Sequence, residues 1–154
     1  MAPEMEEFIR DILQRHAVMT LATIRADGFP QAAVVAYVSD GTTLYFVASA
    51  DAQKIDNIRR CNKVSLTILR DAEDWDRIAA VSMAAVAQVV ADAQELRHVL
   101  DQFIAKFPAF AGLLPVLDPT EIVVVRLRPK AVALIGGSDD IGDGDMVELW
   151  KDAA

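Results

Sequence analysis

One segment decides the fold: Ala48-Ser49-Ala50-Asp51-Ala52-Gln53-Lys54-Ile55-Asp56-Asn57-Ile58, which follows directly on the apolar run Leu44–Val47. A strand that ends in small residues and leads into a helix exposes unpaired backbone N–H groups at the positive end of the helix dipole, where an anion can bind. Lys54 adds a full positive charge beside these donors, and Ser49 can either cap the helix or donate its hydroxyl to the same anion. This turn is therefore a candidate phosphate site; a surface lysine after an ordinary turn is the alternative.

The segments before this turn alternate between apolar strands and tight turns. Val18–Ile24, Gln31–Val38 and Thr43–Val47 are apolar and largely β-branched, and the turn dipeptides Asp27-Gly28 and Asp40-Gly41 separate them. Three strands joined by such short turns form an antiparallel meander.

Further strands are expected after the turn, at Lys63–Leu69, Ile78–Val90, Ile122–Leu127, Ala131–Ile135 and Met146–Trp150. Alanine is abundant over residues 78–90, so periodicity alone does not separate helix from strand there. The β-branched end of this segment favours a buried strand, and whether it forms one strand or two is left open.

Three helices accompany the strands. The first begins at Pro3 with an acidic first turn, the second spans about Ala52–Arg60, and the third is capped by Asp92 and ended by Pro108. Six or more antiparallel strands with an N-terminal helix and inserted helices predict a mainly β domain, closed into a barrel because closure removes exposed strand edges.

Composition limits the classes of function. The 154 residues suit one domain, and the net charge of −8 disfavours nucleic acid, which needs clustered Lys and Arg. Cys61 is the single cysteine, which suits a cytoplasmic protein without disulfides, and no apolar run is long enough to span a membrane. No spacing of histidine, cysteine or acidic residues indicates a metal site. Because 53% of the residues are hydrophobic, we expect an apolar subunit interface.

The order of these elements resembles the FMN-binding split-barrel superfamily, which includes pyridoxamine 5′-phosphate oxidase and general stress protein-like relatives. The similar segments are Ala22–Pro30 (ATIRADGFP), Asp40–Ser49 (DGTTLYFVAS), Lys54–Leu66 (KIDNIRRCNKVSL), Trp75–Ile78 (WDRI) and Ala87–Asp92 (AQVVAD). The resemblance extends over nearly the whole chain. It implies a single split-barrel domain over residues 1–154 that forms a homodimer, with FMN bound in the grooves between the subunits.

The resemblance also implies cofactor-binding residues around the turn. Lys54 matches the phosphate-binding lysine of the family, a role that the start of the helix indicated independently. Gln53 matches a position that is often a basic phosphate ligand, with Ser49 close by. Val47 and Ala48 match the end of the strand that lines the phosphate and the ribityl chain.

A second set of residues matches the strand beneath the isoalloxazine ring, largely through backbone groups: Ala33, Val34 and Val35. Pyridoxamine 5′-phosphate oxidase itself has an arginine in place of Ala33, a glutamine near Ala80 and a basic residue at Gln53. These differences argue against true pyridoxamine 5′-phosphate oxidase activity, since each lost charge-assisted hydrogen bond weakens binding by about 1.5–3 kcal/mol.

The function expected from the resemblance is an FMN-dependent oxidoreductase that acts on an unidentified small substrate. The cofactor would supply the chemistry, and no side chain stands out as a catalytic acid or base. Three alternatives stay open: a deazaflavin coenzyme on the same lysine, a non-catalytic flavin-binding or stress-related module, and an empty groove.

Overall fold

The strands form one antiparallel sheet that curls into a half-barrel. A computed structural model describes residues 3–70, 79–113, 118–136 and 147–151. In chain order the elements are α1 (Pro3–Arg15), β1 (Val18–Ile24), β2 (Pro30–Ala36), β3 (Val38–Asp40), β4 (Thr43–Ser49), α2 (Gln53–Arg60), β5 (Lys63–Leu69), β6 (Ala79–Val89), α3 (Ala93–Lys106), β7 (Ile122–Gly136) and β8 (Val147–Lys151). Short 3-10 helices occupy Pro108–Gly112 and Pro119–Glu121.

The strand order explains how the sheet curls. The order is β2-β1-β5-β6-β7-β4-β3, and β8 pairs with β7. Since β2 and β3 lie at opposite ends of this order but only Tyr37 separates them in the chain, the sheet must bend back on itself there. The predicted single strand Gln31–Val38 is therefore wrong: it is two strands, which pair with β1 and β4 respectively. The prediction of a mainly β split barrel with helices is confirmed.

The middle of β7 corrects a second prediction. The expected strands Ile122–Leu127 and Ala131–Ile135 are one continuous strand, because a bulge opposite β6 accommodates Pro129, which has no N–H to donate. Ala84 pairs with Ala131 and Ala85 with Pro129, so the register shifts by one residue at this point.

The alanine-rich segment at residues 78–90 was left open as one strand or two. Its described part forms a single strand, β6 (Ala79–Val89). The predicted start of this strand, Ile78, lies outside the described residues. So do the whole of the Trp75–Ile78 segment and Met146, the predicted first residue of the last strand.

The core lies inside the half-barrel, where alternate strand residues point inward. Its largest fully buried side chains include Met19, Leu21, Phe46, Leu66 and Met83. Helix α2 adds Ile55 and Ile58 to this core. Helix α3 packs over a second, smaller cluster on the other face of the sheet, which consists of Val38, Tyr45, Val90, Val99, Phe103 and Val124.

Among the described helices, none combines the length and the apolar character needed to cross a membrane.

Candidate phosphate-binding cleft

The site begins where β4 leads into α2. The N-cap residue of α2 is Ala52, which provides no side-chain hydrogen bond to the helix. The predicted cap, Ser49, instead donates its hydroxyl to the Asp51 carboxylate (2.5 Å), so the capping alternative is wrong. The first N–H groups of a helix have no partner within the helix. Because no side chain caps α2, its first N–H groups remain available to an anion.

A cleft of about 220 Å³ opens beside this helix start. Six residues from three elements line it: Leu21 and Thr23 of β1, Gln31 and Ala33 of β2, and Gln53 and Lys54 of α2. The strand residues lie together because Leu21 pairs with Ala33, and Thr23 with Gln31, across the β1–β2 ladder. The cleft thus joins an apolar wall, two amide side chains and one ammonium group.

Lys54 is the only titratable residue among those that line the cleft. Its side chain is half-buried, and within the described parts of the chain it has no carboxylate in salt-bridge range. An ammonium group without a counter-ion can pair with an anion that enters the cleft. Lys54, the predicted phosphate-binding residue, therefore lies where a positive charge and free N–H donors could bind an anion.

A buried polar network supports the cleft from the side of α2. Asn57, which is fully buried, donates to Thr23 Oγ1 and Gln31 Oε1 (both 3.0 Å). It accepts from Gln53 Nε2 (2.9 Å) and from the Arg60 guanidinium (3.2 Å). Buried polar groups satisfied in this way order the side chains that they join.

Sequence reasoning missed Thr23, Gln31 and Asn57. The available signal was a polar residue at an inward position of each strand, next to apolar residues on the same face. Asn57 also follows Gln53 by four residues, the spacing that brings side chains together on a helix.

The structure brings Ala33, Gln53 and Lys54 together but distributes the other predicted residues. Val34 is 70% exposed on the outer face of β2, whereas Val35 is buried in the main core. Ala48 packs against the same core, and Ser49 is exposed near the start of α2.

Val47 faces a different cleft, of about 430 Å³, between the sheet and α3. The other residues that line it are apolar: Ala36, Phe103, Phe107, Ala109, Phe110 and Leu113. In the described parts of the chain, this second cleft shares no lining residue with the Lys54 cleft. Val47 therefore does not line the Lys54 cleft within one subunit.

With the fold and the cleft described, the class of protein follows from comparison with known families. The pyridoxamine 5′-phosphate oxidase family model matches residues 5–135. The chain belongs to this family. No curated protein sequence matches the chain.

Solved structures share the fold. A heme binding protein from Mycobacterium smegmatis is 25% identical with a TM-score of 0.78; the match covers 96% of this chain but only 58% of that protein. HutZ, the heme storage protein of Vibrio cholerae, is 24% identical (TM-score 0.70; 85% and 93% covered). The conserved hypothetical protein Rv2991 of Mycobacterium tuberculosis is 25% identical (TM-score 0.68; 86% and 82% covered).

Proposed function

We propose that the protein is an FMN-binding oxidoreductase that acts on a small substrate as a homodimer. The observation that supports this most directly is the cleft in which Lys54, the uncapped start of α2 and the apolar pair Leu21 and Ala33 meet. Phosphate needs the first two of these features, and the apolar part of a flavin needs the third.

The residues present fit the phosphate end of FMN. Lys54 and the first N–H groups of α2 would bind the phosphate, and Ala33 would contact the ligand beyond it. The cleft of about 220 Å³ is smaller than the roughly 300–1,000 Å³ of ordinary ligand pockets. The remainder of a flavin would therefore lie outside the cleft, along β2.

A second copy of the chain would cover that remainder. The outer face of β1 and β2 exposes several apolar side chains, with Val18 at 51%, Ile24 at 37% and Val34 at 70%, and an apolar patch of this kind can mark a subunit interface. Pairing two such faces would bury them and would enclose each cofactor between subunits.

The chain's own residues would bind, orient and shield the cofactor. FMN, when bound, supplies hydride or electron transfer. None of the described residues lining the cleft is an Asp, Glu, His, Cys or Tyr, so these residues offer no conventional acid or base beyond Lys54. This is consistent with chemistry that resides in the cofactor, and it leaves no reason to name a catalytic residue.

Heme binding is a second candidate, favoured by the names of two structures with this fold. Heme iron usually takes a His, Cys, Met or Tyr ligand from the protein. No such residue is found among the described residues that line the Lys54 cleft. The local chemistry of this cleft therefore favours a phosphorylated ligand over heme.

The purified protein tests the proposal through its absorption spectrum and its mass in solution. We expect a flavin absorption band in the blue and the mass of a dimer. Turnover with a nicotinamide donor would then distinguish an enzyme from a flavin carrier. A deazaflavin is distinguished by its absorption at shorter wavelength and its mass after release. An intense Soret band after addition of hemin, together with failure to retain FMN, would contradict the proposal.

A further inference from the structure

Asn57 has an unusual position beside the cleft. It is fully buried, yet it forms hydrogen bonds with side chains from β1, β2 and its own helix. Neither family resemblance nor the shape of the cleft assigns it a role. Its partners Thr23, Gln31 and Gln53 all line the cleft, so any change in its orientation changes what a ligand meets.

Arg60 determines which way the Asn57 amide points. A guanidinium group has only donors, so the atom of Asn57 that lies 3.2 Å from Arg60 must be the oxygen. A second bond from Arg60 to the Ile24 carbonyl (3.2 Å) holds the guanidinium in place. The amide nitrogen of Asn57 must then face Thr23 and Gln31.

This orientation is passed on to the two glutamines. Gln31 accepts from Asn57 through Oε1, so its NH₂ group is the end left for a ligand. Gln53 donates to Asn57 through Nε2, so its carbonyl oxygen is the end left for a ligand. Within the described residues, neither free end has another hydrogen-bond partner.

We propose that Asn57 is a positioning residue that sets the hydrogen-bond polarity of the cleft and thereby selects a phosphorylated ligand that carries hydroxyl groups. Gln31 donates to the phosphate together with Lys54, and Gln53 accepts from a ligand hydroxyl. The ligand class rests on the proposed flavin function, since the ribityl phosphate of FMN has both groups. The orientation of the amides does not depend on it.

The first test compares Asn57→Leu with Asn62→Leu. Both variants replace an asparagine by a side chain of similar size without changing charge, and Asn62 is exposed and outside the cleft. We expect Asn57→Leu to raise the dissociation constant of FMN about tenfold and that of riboflavin, which keeps the hydroxyls but lacks the phosphate, by a clearly smaller factor. Asn62→Leu should change neither. Equal losses for FMN and riboflavin in Asn57→Leu would overturn the proposal, because a merely structural defect would affect both.

The second test uses the wild-type protein and needs no ligand at first. In side-chain amide NMR spectra, the Asn57 NH₂ protons should exchange with solvent far more slowly than those of Asn62, and the Gln31 NH₂ protons should exchange rapidly. Added FMN should then shift the Gln31 NH₂ signals. Slow exchange at Gln31 with fast exchange at Asn57 would overturn the assigned polarity. Failure to bind FMN with the predicted exchange pattern would refute only the flavin function and the ligand class.

Discussion

Lys106 and Tyr37 are joined twice. The Lys106 ammonium donates to the Tyr37 carbonyl (2.9 Å) and lies 4.1 Å from the centre of the Tyr37 ring. The same ammonium donates to the carbonyl of His16 (2.6 Å), and the Tyr37 hydroxyl donates to the carbonyl of Leu13 (2.6 Å). The end of α3 is thereby fixed to the end of α1 at the residue where the sheet bends between β2 and β3.

Replacing Lys106 with methionine should destabilise the fold while keeping the aliphatic part of the side chain. Two carbonyls would lose a charged donor, so we expect the free energy of unfolding to fall by about 1.5–3 kcal/mol, the usual worth of hydrogen bonds to charged groups. Burial lowers the pKa of Lys106, and this desolvation cost offsets part of the gain. Urea denaturation measures the change. Lys63→Met, on an exposed position of β5, is the control, and an equal effect in both variants would contradict the role of Lys106.

Much of the fold could be predicted from local sequence, because several of its strands are short, β-branched and separated by turn dipeptides. Strands β1 and β5 have the bounds expected from their sequences. The division at Tyr37 was not predictable, because an unbroken apolar run does not show that its two halves pair at opposite edges of a sheet. Pro129 was taken as a break between strands, and only the β6–β7 register shows that a bulge absorbs it.

Only some of the residues that line the cleft could be identified from the sequence. Lys54 was identifiable because a strand-to-helix turn has local electrostatics that a sequence reveals. The roles of Thr23 and Gln31 depend on strand pairing, and that of Asn57 depends on how α2 packs against those strands. Such long-range relationships leave little trace in a single sequence. The family resemblance placed Val47 in the same site as Lys54, but strand alternation turns Val47 toward α3.

Replacing Lys54 with alanine should weaken FMN binding at least tenfold, equivalent to about 1.4 kcal/mol, because the phosphate would lose its only cationic partner among the described residues that line the cleft. Riboflavin binding should change little, since riboflavin has no phosphate. Fluorescence titration measures both constants, and Lys63→Ala controls for the loss of one positive charge. An FMN dissociation constant within twofold of wild type would exclude a phosphate-binding role for Lys54.

Replacing Val34 with aspartate should convert the proposed dimer to a monomer. The side chain is 70% exposed at the centre of the outer face of β2, where a buried carboxylate in a subunit interface would be costly. Light scattering after size-exclusion chromatography gives the mass, and flavin retention should fall with it. Leu113→Asp, at an exposed position that lines the second cleft, is the matched control. A dimer that survives Val34→Asp would place the subunit interface elsewhere.

Tyr45 should make the protein sensitive to alkaline pH. Burial and a hydrogen bond to Glu95 (2.9 Å) raise the pKa of Tyr45 from 10 to about 12. In the unfolded chain the phenol ionises near pH 10, whereas in the folded protein it stays protonated to about pH 12. Its stabilising contribution is therefore complete below pH 10 and declines between pH 10 and 12, because the unfolded state then binds fewer protons.

The Tyr45→Phe variant isolates this contribution. It keeps the ring but removes the ionisable hydroxyl, while Glu95 keeps its ion pair with Arg126, whose guanidinium donates to both carboxylate oxygens. We expect the free energy of unfolding, measured by urea denaturation at several values between pH 9 and 11.5, to fall less steeply with pH in Tyr45→Phe than in the wild type. Tyr37 also has a pKa raised by burial, so a residual slope should remain in this variant and should diminish further in Tyr37→Phe/Tyr45→Phe. Identical slopes in the wild type and Tyr45→Phe would show that the Tyr45 hydroxyl ionises equally readily in the folded and unfolded states.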